Sequence, residues 1–343
     1  MSDVLYKRGL LPWFEPVTVH NFASWLSWLA MTGSTLMFWL AALIGNSRLL
    51  LALFLCVIPT ICLVCRDRIW LALGKQLQRA TNECLPVASN ILAEVRGTSE
   101  HSRNTLWLLA HYDSKSQRPS MAVRMTAAVV FLLTAPALLL SILWDIPLLW
   151  IGLLLTSASL AALLLNLPEG NASPGALDNG AAVGVLLALA GLFRRHPPRN
   201  LTLRFVFTAA EENGLLGAFS LLRQHQRDLQ EGAHLLVNLD TIGCSSTLHL
   251  FGTARSKLLR IVQDVGRRAG VRLKNGWLPP VLMMDHQVFS AEGLDSLSLS
   301  SLCRKTRFIH SRHDHLGLID IGVLRGICDF FEQLVRELDS KSW

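Results

Sequence analysis

The sequence predicts an α/β fold: a mixed, mostly parallel sheet flanked by helices, joined to about four transmembrane helices. Three observations carry this reading. Apolar runs rich in β-branched and aromatic residues, such as 201–207 (Leu-Thr-Leu-Arg-Phe-Val-Phe), alternate with helical segments, the pattern of a sheet covered on both faces. Histidines and carboxylates stand just past the ends of several of those runs. Finally, the chain is 51% hydrophobic and only 17% charged, against about 25% charged in an ordinary soluble domain, which places part of it in lipid.

The elements follow in chain order. Residues 1–21 read as a polar lead-in, with Lys7 and Arg8 ahead of the first apolar run. Residues 22–66 read as a transmembrane hairpin. Residues 25–44 carry no charge and are long enough to cross a bilayer as a helix, 45–48 make a polar turn, and 49–65 form a second uncharged run around Pro59. No small-residue cleavage site marks a signal peptide there. Residues 67–118 open the α/β domain, with a helix over 69–80 and strands at 90–97 and 105–110, read as a β-hairpin delivering His111 and Asp113. Residues 119–167 interrupt it with a second uncharged pair of runs, 125–143 and 147–165, around a short break at 144–146. This is an inserted transmembrane hairpin rather than a pair of core helices. Residues 168–343 resume the domain. They hold a turn-rich loop at 173–180, helices over 181–193, 215–226, 255–269 and 321–338, and strands at 201–207, 233–239, 248–252 and 296–302.

The net charge of +7 is dispersed, with no basic stripe interleaved with aromatics, so nucleic acid is not an expected partner. The seven cysteines include no CxxC pair, and reduced thiols are expected. Lys7, Arg8, Arg66, Arg68, Lys75, Lys115, Arg118 and Arg124 flank the expected spans on one side, and only Arg48 and Asp145 lie on the other. The positive-inside rule then puts both termini and the catalytic domain at the cytoplasmic face.

The chemistry gathers on short pieces: His111 and Asp113, Asp178, the pair Glu211 and Glu212, Asp240, and His310. An acidic pair after a strand is, taken alone, an ordinary solvated turn. Neutral imidazole together with carboxylates suits Zn²⁺, and one carboxylate can bridge two ions. Neighbouring residues on extended chain point opposite ways, so one of Glu211 and Glu212 can hold a metal while the other faces a water or substrate.

These blocks resemble metallopeptidase family 28, the co-catalytic di-zinc aminopeptidases, over about residues 88–118 and 168–340. The matching segments, in order, are 110–114 (AHYDS), 173–180 (SPGALDNG), 205–217 (FVFTAAEENGLLG), 237–243 (VNLDTIG) and 309–320 (IHSRHDHLGLID). The resemblance implies a zinc aminopeptidase-like fold holding two Zn²⁺ ions per chain. Asp178 would bridge them, with His111 and Asp240 completing one site and Glu212 and His310 the other. Glu211 would be the general base of a di-zinc-activated water, and Asp113 would orient His111. The implied substrate is the N-terminus of a peptide or protein, and the bilayer is the second partner. In the last loop, His310 takes the ligand position ahead of His313 and His315. Glutaminyl cyclases, which use one zinc for acyl transfer and carry a block similar to 111–115 (HYDSK), are the alternative enzyme. A non-catalytic membrane receptor or scaffold of the same fold is the other alternative. Two departures stand out. A membrane hairpin separates His111 from Asp178, and the only tyrosines are Tyr6 and Tyr112, so an oxyanion-stabilising role would fall to His313 or His286.

Overall fold

A computed structural model of the chain describes residues 1–19, 68–74, 88–100, 104–144, 171–253, 256–278 and 282–340, with isolated positions 57, 60, 61, 155, 158, 159, 167 and 168. The expected hairpin at 22–66 lies almost wholly outside these residues, as does the second arm of the inserted one.

Helix α1 (Ser2–Lys7) and strand β1 (Trp13–Val17) come first. The lead-in expected from the sequence is therefore part of the domain. β1 pairs antiparallel with β2 (Ala88–Val95) and forms one edge of an eight-stranded sheet. Its Pro16 cannot donate to a ladder, which suits an edge strand and hides the strand from pattern reading. Next come β3 (Asn104–His111), β4 (Gln117–Arg118), helix α2 (Met121–Trp144) and β5 (Leu167–Pro168). Helix α3 (Ala181–Arg195), β6 (Leu201–Thr208), helices α4 (Leu216–Gln224) and α5 (Gln226–Glu231), β7 (Ala233–Leu239) and β8 (Thr247–Gly252) follow. The chain closes with α6 (Lys257–Arg268), β9 (Arg272–Asn275), α7 (His286–Ser290), β10 (Asp295–Ser300) and α8 (Ile321–Ser340).

The strand order is β1-β2-β6-β3-β7-β10-β8-β9. The pairs β6–β3, β3–β7, β7–β10 and β8–β9 are parallel, and the other three are antiparallel. The expected β2–β3 hairpin does not form. β6 lies between them, antiparallel to β2 and parallel to β3. Sequence proximity favours a hairpin only while no third strand competes. Here β6 buries Leu203, Phe205 and Phe207 in one core and Val206 in the other, and so takes the covered position between them.

That double covering shows in β3. Leu106, Leu108 and Ala110 face a core built with α3, α6 and α8, while Trp107 and Leu109 face a second core with α4 and α7. Among the described residues, one stretch, Ala176–Arg195, is long and apolar enough to cross a membrane, but 67% of it is buried inside the protein. It is the central core helix. α2 differs: its 24 residues include Pro136, and Val129 (55%), Leu133 (70%) and Trp144 (68%) are exposed. β4 and β5 pair antiparallel, Gln117 with Pro168 and Arg118 with Leu167, so the chain leaves and re-enters the domain side by side.

Candidate metal centre

The four adjacent parallel strands β6, β3, β7 and β10 end on one side of the sheet, the side where such sheets place ligands. His111 is the last residue of β3, and Asp240 follows the last residue of β7. Glu211 and Glu212 sit on the turn after β6, and His310 lies on the loop after β10. Asp178 comes from the irregular turn before α3. Gly175 permits that turn: its φ is +65°, and a Cβ there would lie 2.7 Å from Ser114 Cβ.

The side chains converge. Asp178 Oδ1 lies 3.0 Å from His111 Nε2, and its Oδ2 lies 3.0 Å from His310 Nε2. His310 Nε2 is 2.8 Å from Glu212 Oε1, and His111 Nε2 is 4.0 Å from both Asp240 Oδ1 and Glu211 Oε2. Two clusters able to hold a cation result, His111–Asp178–Asp240 and Asp178–Glu212–His310, sharing Asp178. His111 Nε2 and Glu212 Oε1 are buried, yet neither makes a hydrogen bond despite these short separations. Such donor atoms crowd together without pairing, as ligands around ions do. The mixed imidazole and carboxylate set fits zinc.

The supporting shell explains the geometry. Nδ1 of His111 lies 3.0 Å from the backbone carbonyl of Asp113, which can only accept, so the proton sits on Nδ1 and the Nε2 lone pair faces Asp178. The Asp113 carboxylate, expected to orient His111, is 3.7 Å from that nitrogen. Instead it accepts from the backbone N–H of Glu211 and of Glu212, both at 3.1 Å, and so fixes the acidic turn. The turn is packed from outside by the indole of Trp70, which donates to the Gly214 carbonyl at 2.9 Å. Gly214 has φ +103°, and any Cβ there would strike that indole. Ala210, Thr241 and His310 all have left-handed φ of 53–59°, a conformation that costs about 1–3 kcal/mol each and survives where surroundings enforce it. At Thr241 the enforcement comes from Asn179 Oδ1 and Ser301 N, and at His310 from Gln117 N, which donates to its carbonyl at 3.1 Å.

Burial of so many acids shapes their ionisation. Burial holds the Glu211 carboxyl well above the usual carboxylate range. His111 opposes that rise, and the charges of Glu212, Asp240 and Asp285 add to it. Burial and then Asp178 push Asp240 up to about 7. Burial would also raise Asp178, but the His111 and His310 imidazoles beside it hold it well below its ordinary value. Burial works against charge on His310, yet Glu212 and Asp178 raise it to about 9. The pocket carries an excess of negative charge, and a bound cation relieves it.

Residues 90–335 match the sequence profile of peptidase family M28. The chain belongs to that family. It is similar to a probable zinc metalloprotease of Pyrenophora tritici-repentis (strain Pt-1C-BFP), 38% identical over 77 residues, which are 22% of this chain and 17% of that protein. Its fold is similar to the Legionella pneumophila LapA aminopeptidase, with a TM-score of 0.52 and 12% identity over 83% of this chain and 66% of that one. It is also similar to an Acidobacteriales bacterium glutaminyl cyclase, with a TM-score of 0.50 and 16% identity over 74% of each chain. This M28 chain therefore spans less than a fifth of the first of these relatives and about two thirds of the second.

Two acids of the M28 site escape sequence reasoning. Asp314 is fully buried, and its two oxygens accept from Leu177 N at 2.7 Å and Asp178 N at 3.2 Å, so it holds the Asp178 turn in place. Its position among three histidines in 310–315 was the available signal. Asp285 is fully buried, accepts from Thr208 Oγ1 at 2.6 Å, and leaves Oδ1 unpaired. The residues considered for oxyanion stabilisation are turned elsewhere. The Tyr112 hydroxyl donates to the Ser89 carbonyl, and His286 is buried against Ser298 Oγ at 2.6 Å. Its imidazole is pushed down to about 3 by burial. His313 is exposed and packs on the Phe308 ring.

Asp314→Ala is expected to weaken zinc retention by about 10–100-fold, the usual cost of losing an outer-shell partner, with far-UV circular dichroism unchanged. Chelator competition measures it. Unchanged affinity would show that the Asp178 turn holds itself.

Proposed function

We propose that this chain is a membrane-anchored aminopeptidase that cleaves the N-terminal peptide bond of peptides or proteins with two zinc ions. The observation that supports it most directly is the pair of metal-competent clusters sharing Asp178, with Glu211 alongside but outside both. In this reading His111, Asp178 and Asp240 hold one ion and Asp178, Glu212 and His310 the other. When bound, such ions lower the pKa of water and polarise a carbonyl.

The chain's own groups supply the rest. Glu211, whose hold on a proton burial strengthens, can take a proton and return it to the leaving amine, the work of a general base. Asp113 keeps that carboxylate in place through the backbone of the acidic turn. The closed sheet ends and the irregular turn at 176–180 exclude bulk water from its surroundings, since Glu211, Asp178 and His310 are all buried.

Zinc stoichiometry tests the proposal together with turnover of aminoacyl amides and amino-terminal glutamine peptides. Two ions with amide hydrolysis support an aminopeptidase. One ion with cyclisation of glutamine peptides identifies the glutaminyl cyclase chemistry instead, and the shared fold keeps that reading in play.

The membrane part rests on sequence runs and on where the chain leaves the domain. The segments 20–67 and 119–166 each begin and end on the catalytic domain, at β1 and 68–74 and at β4 and β5. The apolar part of helix α2, Met121–Ala137, is shorter than a full span among the described residues, but it exposes Val129 and Leu133 as a lipid-facing segment would. We place the catalytic domain at the cytoplasmic face on the distribution of Lys and Arg. In a chain whose seven native cysteines are replaced by serine, single cysteines at Asn46 and Asp145 should react with an impermeant maleimide only from the opposite side. Labelling from the cytoplasmic side would overturn the topology.

A further inference from the structure

Away from the acids, two thiols meet at the ends of neighbouring strands. Cys244 follows β7 and Cys303 follows β10, and those strands run parallel and hydrogen-bonded. Their Sγ atoms are 2.7 Å apart, although the residues are 59 apart in sequence. Both positions are fixed by their surroundings. The Cys244 amide donates to Ser301 Oγ at 3.2 Å and its Sγ to the Ser301 carbonyl at 2.7 Å. Cys303 Sγ accepts from Lys305 N at 3.3 Å, while its carbonyl accepts from Thr306 N and Oγ1. Both side chains are partly exposed, so a small reagent can reach them.

We infer that Cys244 and Cys303 are a covalent modification site, a reversible disulfide that ties the end of β7 to the root of the loop carrying His310. The observations that carry it are the meeting of the two sulfurs and the anchoring of both backbones. A disulfide needs sulfurs at about 2.05 Å and Cβ atoms at about 3.5–4.5 Å. At 2.7 Å the two sulfurs stand within about 0.7 Å of bonding distance. The co-reactant is a small-molecule disulfide such as oxidised glutathione. Cys303, whose sulfur accepts the Lys305 amide, attacks as thiolate and expels one glutathione thiolate. The Cys244 thiol, pushed up to about 12 by burial and by the neighbouring Cys303, serves as the resolving sulfur. It loses its proton, attacks the mixed disulfide and expels the second glutathione. Two protein thiols and one glutathione disulfide thus become one protein disulfide and two glutathione thiols.

The test uses the full chain in detergent. After equilibration with oxidised glutathione, alkylation and peptide mass mapping should show a Cys244–Cys303 cross-link, while Cys328 on α8 stays alkylatable. The melting temperature should rise by roughly 5–10 °C, as expected for closing a loop of this length in a domain of this size. Dithiothreitol should reverse both changes, and C303S should abolish the shift. Full alkylation of Cys244 and Cys303 after the same treatment would overturn the inference. So would single glutathione adducts without the cross-link. The mapping on the unmodified chain decides the matter even if C303S folds poorly, and neither outcome depends on the zinc chemistry.

Discussion

Glu211→Gln is expected to lower kcat by about 10²–10⁴-fold, the usual worth of positioned proton transfer, while the zinc content stays that of the unsubstituted chain. The substitution keeps shape and volume but removes the group that accepts a proton. Glu211 Oε2 lies 4.0 Å from His111 Nε2, and Glu211 belongs to neither cluster, so the ligand atoms are untouched. Its backbone N–H still reaches Asp113, so the acidic turn should keep its form. Removing one buried negative charge among several should, if anything, ease the repulsion that Glu211 and Asp240 feel. Metal analysis beside steady-state kinetics reads the result. Loss of zinc in step with activity would make Glu211 a ligand, and unchanged kcat would move the base elsewhere.

Asp178→Ala should produce the opposite pattern, with zinc falling below one ion per chain and activity reaching background. Asp178 is the single residue common to both clusters, one oxygen 3.0 Å from each histidine. Its loss leaves each site with two ligands, His111 and Asp240 in one and Glu212 and His310 in the other. The loss of affinity should exceed the roughly 10–100-fold that follows removal of an outer-shell partner. Asp178→Asn keeps one oxygen and the turn geometry, so it should retain part of the zinc. Elemental analysis after gel filtration checks both variants. An Asp178→Ala chain that kept two ions would remove the bridge from the proposal.

The centre of the fold was legible because burial writes itself into sequence. β3 and β7 are largely apolar runs that hand over directly to His111 and Asp240, and β6 reaches Glu211 two alanines past its end. Two kinds of feature stayed hidden. Pairing between strands is non-local, so β2 and β3 looked like a hairpin until β6 was seen between them. The edges β1 and β9 are short, and β1 contains a proline. Within the site, residue types together with the five blocks resembling family 28 brought out His111, Asp178, Glu211, Glu212, Asp240 and His310, whose side chains the fold brings close. They could not bring out Asp314 or the true partners of the Asp113 carboxylate, because both act on backbone amides that any sequence offers equally. The cysteine pair was missed for the same reason: spacing searches look for neighbours in sequence, and these two meet only in space.

The β4–β5 pair has a consequence for how this chain could be rebuilt. Gln117 and Pro168 stand opposite one another, and Ser116 and Ser114 reach across to the backbone of Ser173 at 2.6 and 3.4 Å. The excursion between 119 and 166 is therefore bracketed by a clasp, to which α2 adds one bond of its own, Arg124 donating to Gln117 Oε1 at 3.3 Å. The entropy of closing such an excursion grows only with the logarithm of its length, about 0.6 kcal/mol for each doubling. The clasp is thus a socket. A soluble module, a reporter or a different anchor of almost any size, with its two ends about one strand spacing apart (~4.8 Å), could be plugged in at 118 and 167 while His111 and Asp178 keep their separation.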